Sequence, residues 1–240
     1  MGRVVFVTGG ASGIGADIVR AFARNGSKVS FVDIMEPEGE ALAAETGALF
    51  LPCDITDIAK LKTAIADTGA RLGPIGVLVN NAANDQRHEI DEVTEEFWDR
   101  AQDLNLKHQF FAAQAVRPQM QTLGGGSIIN FSSIAWRGGA PNMPAYTTAK
   151  AAILGLTRSL ANALGDDNIR VNAIEPGAVI TEKQRRLWYP KQEQIDAIVA
   201  HQALKRVLLA DEIARTVLFL AADDSRMITK QAITVDAGLR

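Results

Sequence analysis

The sequence has only one cysteine, Cys53, among its 240 residues. A single cysteine excludes an internal disulfide and any cysteine-cluster metal site. The three histidines, His88, His108 and His201, are too scattered along the chain to suggest a metal site. A chain of this size buries about 70–75% of its unfolded surface, so it can hold a core without such cross-links. We therefore expect no metal, and we expect Cys53 to lie in the core.

An excess of basic charge and long apolar runs are also missing. The 25 Lys and Arg against 28 Asp and Glu give a net charge of −3, which offers nucleic acid no global electrostatic attraction. No run approaches the ~18 apolar residues that span a bilayer. Residues 1–7 lack the basic and long apolar regions of a signal peptide. The sequence therefore predicts a cytoplasmic protein that binds neither nucleic acid nor membrane.

Short β-branched runs alternate along the chain with longer segments of helical period, which is typical of parallel strands joined by crossover helices. The runs are apolar throughout, as expected when helices cover both faces of a sheet. No proline-rich linker or repeat marks a boundary, so residues 1–240 are predicted to form one Rossmann-like, doubly wound α/β domain. Its seven parallel strands are expected at Arg3–Val7, Lys28–Val32, Ala48–Leu51, Ile75–Val79, Gly126–Phe131, Ile169–Ile174 and Gln231–Val235.

Six helices are predicted between these strands. They are expected at Gly13–Asn25, Glu38–Glu45, Asp57–Arg71, Glu95–Thr122, Ala145–Leu164 and Asp211–Ala221. A polar stretch, Thr181–Lys205, follows the sixth strand. A long insertion at the carboxyl end of a strand is often a lid or a binding loop, so a substrate lid is expected at about residues 181–205. A solvated surface helix is the alternative.

A glycine-rich turn, Thr8–Gly15, lies between the first strand and the first helix. Glycines at this place let the backbone approach a pyrophosphate, whose charge the helix N-terminus stabilises. A purely structural turn is the alternative. Asp33 ends the second strand, where a carboxylate can accept hydrogen bonds from both ribose hydroxyls of an adenosine; it could instead cap a helix. No Arg or Lys follows it directly, so the sequence favours NAD over NADP.

Two further groups of residues predict proton-transfer chemistry. Tyr146 and Lys150 are four residues apart, so both lie on one face of a helix. A nearby cation can lower the pKa of a tyrosine by ~1–3 units, which lets the phenol exchange a proton with a substrate hydroxyl. Alone, the pair could be an ordinary helix-surface contact. Ser133 follows the fifth strand, where its hydroxyl can donate to a substrate oxygen, and Asn105 is an unexpected polar residue inside a helix.

In this order along almost the whole chain, the residues resemble the short-chain dehydrogenase/reductase family. The matching pieces are Thr8–Gly15, Asp33, Asp54, Asn80–Ala82, Asn105, Ser133, Tyr146, Lys150, Pro176-Gly177 and Val235–Gly238. The resemblance implies that Tyr146 is the general acid/base, that Lys150 holds the nicotinamide ribose, that Ser133 orients substrate and that Asn105 holds a water. It also implies a homotetramer packed through Glu95–Thr122, Ala145–Leu164 and the last strand.

The same resemblance implies a set of residues that contact NAD. These are Gly9, Ser12, Gly13, Ile14, Gly15, Asp33, Ile34, Asp54, Ile55, Asn81, Ala82, Tyr146, Lys150, Pro176, Gly177, Val179 and Thr181. Three residues depart from the family pattern: Ala83 and Lys230 replace usual glycines, and Glu175 precedes Pro176 near the predicted nicotinamide pocket. A positive backbone angle is not expected at Ala83, and the sequence does not assign a role to Glu175.

The substrate is suggested by three polar segments that follow strand ends, Asn84–His88, Ser132–Trp136 and Gln184–Tyr189. Hydrogen-bonding groups beside tryptophans suit a sugar, which presents hydroxyls and an apolar ring face. The segments resemble those of bacterial NAD-dependent aldose 1-dehydrogenases, most closely the D-xylose type. The predicted substrate contacts are Ser133, Tyr146, Asn84, Trp136, Gln184 and Trp188.

We therefore predict oxidation of an aldose at its anomeric carbon to the lactone, with hydride transfer to NAD. Trp136 and Trp188 could instead be packing residues of the lid. The alternatives for the activity are another short-chain alcohol dehydrogenase, a 3-oxoacyl reductase, or a nucleotide-sensing protein without catalysis.

Overall fold

A computed structural model describes residues 2–239 and contains one seven-stranded parallel sheet. The strands are β1 (Val4–Thr8), β2 (Lys28–Asp33), β3 (Leu49–Pro52), β4 (Ile75–Asn80), β5 (Gly126–Phe131), β6 (Ile169–Pro176) and β7 (Ala232–Val235). Their order across the sheet is β3-β2-β1-β4-β5-β6-β7. The order reverses between β1 and β4, which opens a crevice at the carboxyl ends of the strands, where ligands bind in sheets of this kind. The predicted fold class is confirmed.

Ten α-helices connect and flank the strands in residues 2–239. They are α1 (Gly13–Arg24), α2 (Glu36–Thr46), α3 (Ile58–Leu72), α4 (Glu95–Gln102), α5 (His108–Thr122), α6 (Ala135–Gly138), α7 (Pro144–Ala163), α8 (Glu182–Leu187), α9 (Gln192–His201) and α10 (Ala210–Ala221). Within the same residues, no helix has the length and apolar character needed to cross a membrane.

The sheet has a separate apolar core on each face, and β1 contributes to both. Val5 and Val7 pack on one face with side chains of α1 and α10. Val4 and Phe6 pack on the other face with side chains of α3 and α5. Because successive residues of a strand point to opposite faces, a strand buried on both sides reads as one apolar run, which explains why the strands were predictable. Cys53 lies in the second core, as expected.

Residues Glu95–Thr122 are helical throughout, as predicted, but α4 and α5 are joined by a π-helical segment, Asp103–Lys107, that was not predicted. The 181–205 segment holds two helices, α8 and α9, separated by a short turn. The short helix α6, directly after β5, was not predicted.

Candidate active site

The glycine-rich turn joins β1 to α1 and has the shape that a dinucleotide needs. Gly9 and Gly13 have φ angles of +66° and +53°, which residues with a side chain rarely adopt. A Cβ atom on Gly15 would lie 1.9 Å from the carbonyl oxygen of Gly9. The Asn81 side-chain amide fixes the turn by donating to the carbonyls of Thr8 and Gly9 at 3.1 and 2.8 Å.

The N-terminus of α1 fits a phosphate group. Ser12 stands at its N-cap position without a side-chain capping hydrogen bond, and the first turn holds no acidic residue. Free N–H groups and the positive end of the helix dipole therefore face the crevice. Thr181 lies against this turn, since a Cβ on Gly13 would be 3.3 Å from its Cγ2. The turn thus fits the pyrophosphate of a nicotinamide dinucleotide, with Ile14 in the first turn of α1.

Asp33 is held at the end of β2 by backbone donors. Its Oδ2 accepts from the N–H of Ala11 at 2.9 Å, and its Oδ1 accepts from Ile34 and Met35 at 2.8 and 3.1 Å. The N-cap of α2 is Met35, so Asp33 is not the capping residue of that helix. Its position between the glycine-rich turn and α2 is the position that the ribose contact requires.

Asp54 and Ile55 follow β3 on the same edge of the sheet. The carboxylate of Asp54 accepts from the backbone N–H and the hydroxyl of Thr56 at 2.9 and 2.7 Å. The residue that caps α3 is Asp57, whose side chain accepts from the N–H of Lys60. Asp54 is therefore not the cap of α3, and Ile55 is buried beside it.

The remaining predicted cofactor contacts lie across the crevice. Ala82 follows β4 and approaches Gly9 so closely that a Cβ on Gly9 would be 2.7 Å from its Cα. Pro176 ends β6, and Gly177 lies against Asp236, where a Cβ would be 2.7 Å from the Asp236 Cα. Val179 forms an isolated bridge to Leu208, and Thr181 caps α8.

Tyr146 and Lys150 occupy successive turns at the start of α7. The Lys150 ammonium is buried, donates to the carbonyl of Phe131 at 2.8 Å and lies 5.4 Å from the centre of the Tyr146 ring. Ser132 donates to the Lys150 carbonyl at 2.6 Å, which fixes the loop after β5 against α7. The Ser133 hydroxyl accepts from the N–H of Ala135 at 3.1 Å and lies close enough to Tyr146 to favour its phenolate. The structure thus brings Ser133, Tyr146 and Lys150 together.

Burial dominates the ionisation of the two α7 residues. It raises the pKa of Tyr146 well above its ordinary value; the charge of Asp85 raises it further, and the hydrogen bond to Ser133 lowers it. Burial lowers the pKa of Lys150 to about 7, against the opposing effect of Asp85. The expectation of a lowered Tyr146 pKa is therefore wrong for this structure, because desolvation penalises the phenolate.

His108 lies near the same lysine. Its imidazole is fully buried, and burial together with the charge of Lys150 lowers its pKa to about 3. A neutral imidazole at this place adds no second positive charge beside the ammonium group. The sequence did not assign His108 a role at the site.

Asn105 lies in the π-helical segment 103–107, which explains the polar residue in an otherwise helical pattern. Its Oδ1 accepts from the backbone N–H of Asn84 at 2.9 Å, and its Nδ2 donates to the Ala101 carbonyl at 2.9 Å. Short π-helical segments occur often at functional sites. Here the segment turns Asn105 toward the loop after β4. A cleft beside Tyr146 is lined by Asn84, Gln86 and Asn105 among others.

Three of the predicted substrate contacts, Asn84, Gln184 and Trp188, meet around a residue that sequence reasoning missed. Asp85 accepts from the Gln184 amide at 2.7 Å and from the Trp188 indole N–H at 3.1 Å. Lys183 donates to both Asn84 and Asp85 at 3.2 Å. The polar composition of Asn84–His88 was the available signal, but nothing in it distinguished Asp85 from its neighbours.

Trp136 is placed differently, because its indole N–H donates to Glu175 at 2.8 Å. Glu175 is fully buried and also accepts from Arg137 at 2.8 Å and from Thr234 at 3.3 Å. This carboxylate therefore joins α6 to β6 and β7, which is a structural contact. The packing alternative for Trp136 agrees with this bond.

The two glycine replacements differ in their backbone. Ala83 does not adopt a positive φ, as expected, whereas Lys230 has a φ of +67°. The Lys230 ammonium donates to Asn162 at 3.0 Å, and its N–H donates to the Val171 carbonyl at 2.7 Å. These bonds hold Lys230 in a conformation that usually favours glycine.

Comparison with known proteins decides the family. A family model described as enoyl-(acyl carrier protein) reductase matches residues 9–240. The probable galactose dehydrogenase GalD of Rhizobium meliloti is 51% identical, with 99% of this chain and 94% of the relative covered. The D-xylose 1-dehydrogenase of Caulobacter vibrioides is 43% identical, with 100% and 96% covered. The chain belongs to the short-chain dehydrogenase/reductase family.

Two less similar proteins also match over almost the whole of this chain. A 3-alpha-(or 20-beta)-hydroxysteroid dehydrogenase of Mycobacterium tuberculosis is 38% identical, with 99% of this chain and 89% of the relative covered. A blue fluorescent protein from a metagenomic library, solved in complex with NADPH, superposes with a TM-score of 0.90. It is 34% identical, and 99% of this chain and 98% of that chain are covered. This chain, as a member of the short-chain dehydrogenase/reductase family, is therefore an oxidoreductase with a nicotinamide dinucleotide site.

Proposed function

We propose that the protein is an NAD-dependent aldose dehydrogenase that oxidises the anomeric hydroxyl of a sugar to the lactone. The observation that carries the proposal is that Ser133, Tyr146 and Lys150 lie together beside a polar cleft. Asn84 lines this cleft with Tyr146, and Asp85, whose charge acts on Tyr146, is bound by polar side chains of the 181–205 segment. Relatives named for galactose and D-xylose align over nearly the whole chain. A sugar offers hydroxyls to these polar groups, whereas an apolar substrate offers none.

Each residue of the constellation has one task in this proposal. Tyr146 takes the proton of the reacting hydroxyl, and Ser133 holds the substrate oxygen during the transfer. Lys150 holds the nicotinamide ribose and places positive charge near the phenol. Asn105 holds a water behind Tyr146. When bound, the oxidised nicotinamide dinucleotide accepts the hydride and adds a positive charge that favours the phenolate.

The preference for NAD rests on the charges around Asp33. No Lys or Arg occurs between Val29 and Ala59, a stretch that holds α2, β3 and all of β2 except its first residue, Lys28. The first turn of α2 carries Glu36 and Glu38. An adenosine 2′-phosphate would meet carboxylates and no cation from this stretch, which costs binding free energy.

Three further expectations accompany the proposed function. The 181–205 segment acts as a lid, because Thr181 lies against the glycine-rich turn while Gln184 and Trp188 bond to Asp85. A homotetramer stays a proposal from the family resemblance, which implies packing through residues 95–122, residues 145–164 and the last strand. A cytoplasmic location stays a prediction from the sequence pattern.

The experiment is a panel of aldoses assayed by steady-state kinetics with NAD and, separately, with NADP. Pentoses, hexoses and 6-deoxyhexoses are included, together with a hydroxysteroid, a secondary alcohol and a 3-oxoacyl thioester. We expect the largest kcat/KM for an aldose with NAD. Turnover of the steroid or thioester without turnover of any sugar would replace the proposal by one of the alternatives. Binding of NAD without turnover of any compound would indicate a sensor.

A further inference from the structure

Asp85 has an unusual environment for a loop carboxylate. Its side chain is 19% exposed, and three side chains of the 181–205 segment donate to it, although they lie 98, 99 and 103 residues away in sequence. Lys183 reaches Oδ1, whereas Gln184 and Trp188 both reach Oδ2. A carboxylate can accept about four hydrogen bonds, so these three donors leave acceptor capacity on Oδ1.

The loop that carries Asp85 lies at the catalytic residues. Its neighbours Asn84 and Gln86 line the cleft that contains Tyr146, and the backbone of Asn84 is held by Asn105. Between them, Asp85 faces α8. The carboxylate therefore lies near Tyr146 on one side and against α8 on the other.

The charge of Asp85 is unfavourable for the Tyr146 phenolate. Burial by itself raises the pKa of Asp85, but the bond from Gln184 and the charge of Lys183 outweigh it and hold the pKa below its ordinary value. The resulting anion raises the pKa of Tyr146. A residue that only held α8 in place could be a neutral acceptor, because Gln184 and Trp188, two of the three side chains that donate to Asp85, are uncharged. The negative charge of Asp85 disfavours the Tyr146 phenolate. A hydrogen bond from a substrate hydroxyl to Asp85 would account for the presence of this charge.

We propose that Asp85 is a specificity-determining residue that accepts a hydrogen bond from a sugar hydroxyl other than the reacting one, while Lys183, Gln184 and Trp188 hold its carboxylate in place. The proposal rests on the aldose dehydrogenase activity proposed above. An acceptor-only anion favours polyhydroxylated substrates, because an apolar substrate has no donor for the acceptor position that Lys183 leaves open on Oδ1.

The test combines a protein change with a substrate change. Wild type, Asp85→Asn and the control Asp91→Asn, which removes an exposed carboxylate six residues away, are assayed with the best aldose and its 2-, 3-, 4- and 6-deoxy forms at saturating NAD. We expect Asp85→Asn to lower kcat/KM for the parent sugar by about 10- to 100-fold. For the one deoxy form that lacks the contacted hydroxyl, we expect almost no further loss. Asp91→Asn should match wild type throughout.

Two more variants separate substrate contact from placement of α8. Lys183→Met and Trp188→Phe remove donors but keep the carboxylate, so we expect losses of similar size for every sugar. If Asp85→Asn does not fold, Asp85→Glu is used, since it keeps the charge and displaces it by one methylene; the same sugar-selective loss is expected. Equal losses with Asp85→Asn for the parent and every deoxy form would overturn the role of Asp85 and leave the proposed function intact. No turnover of any aldose by wild type would overturn both.

Discussion

The ionisation of Lys150 is the residue-scale property with the clearest consequence for stability. Its pKa in the fold is about 7, whereas an unfolded lysine titrates near ~10.4. Between these values the unfolded chain binds more protons than the folded one, so the free energy of unfolding rises with pH. Below pH 7 both states carry the charge, and the burial cost is present in full.

We therefore predict that Lys150→Met abolishes a pH dependence of stability. In urea unfolding of the cofactor-free protein between pH 7.5 and 9, wild type should gain stability with pH and Lys150→Met should not. The range stops at about pH 9 because burial raises the pKa of Cys53 to about 11, which has the opposite effect at higher pH. The exposed Lys28→Met variant is the control and should keep the wild-type slope. If the free energy of unfolding of Lys150→Met rose with pH as steeply as that of wild type, the lowered pKa of Lys150 would not be the cause of the pH dependence.

Between elements, Glu175 is the contact that the sequence could not interpret. It joins α6 to β6 and β7 through Trp136, Arg137 and Thr234. Burial raises the pKa of Glu175, but the bonds from Arg137 and Trp136 outweigh it, so the pKa lies below its ordinary value. This charge stabilises the fold above the unfolded pKa of about 4.3, and the contribution disappears as pH falls through the folded pKa.

Glu175→Gln should lower the free energy of unfolding at pH 7 by about 1–3 kcal/mol, because it removes a charged acceptor from three donors, Trp136, Arg137 and Thr234. The difference from wild type should narrow as the pH falls below about 4. Denaturant unfolding at pH 7 and at several pH values below 4 measures both the difference and its narrowing. The exposed Glu40→Gln variant in α2 serves as control and should change little. A Glu175→Gln protein as stable as wild type at pH 7 would show that the cluster contributes nothing.

The strands were predictable from the sequence because burial on both faces gives continuous apolar runs. The π-helical segment Asp103–Lys107 was not predictable from the sequence, because it accompanies a contact between Asn105 and the backbone of Asn84, 21 residues earlier. Asp85 was missed for the same reason: its partners lie about a hundred residues further along the chain. Local pattern thus predicted the elements and the family motifs, whereas contacts between distant loops required the structure.

For the whole molecule, the distribution of charge predicts the cofactor. Within residues 29–59, the edge formed by β2, α2 and β3 carries Asp33 and several glutamates but no Lys or Arg, and Lys28 lies at the opposite, amino end of β2. Replacing Asp33 by Ser should raise the ratio of kcat/KM with NADP to that with NAD by about 10- to 100-fold, because it removes repulsion of the 2′-phosphate. The ratio is measured with one aldose and both dinucleotides, and Glu40→Gln should leave it unchanged. An unchanged ratio in Asp33→Ser would show that another part of the edge selects the cofactor.

The most direct test of the account is aldose oxidation by wild type and Tyr146→Phe, with NAD affinity measured in parallel by calorimetry. The phenylalanine keeps the ring and removes the hydroxyl that exchanges the proton. We predict that wild type oxidises an aldose with NAD, and that the variant loses at least about 10²–10⁴-fold in kcat while binding NAD with nearly the wild-type Kd. A Tyr146→Phe enzyme that oxidises the sugar at the wild-type rate would contradict the central claim.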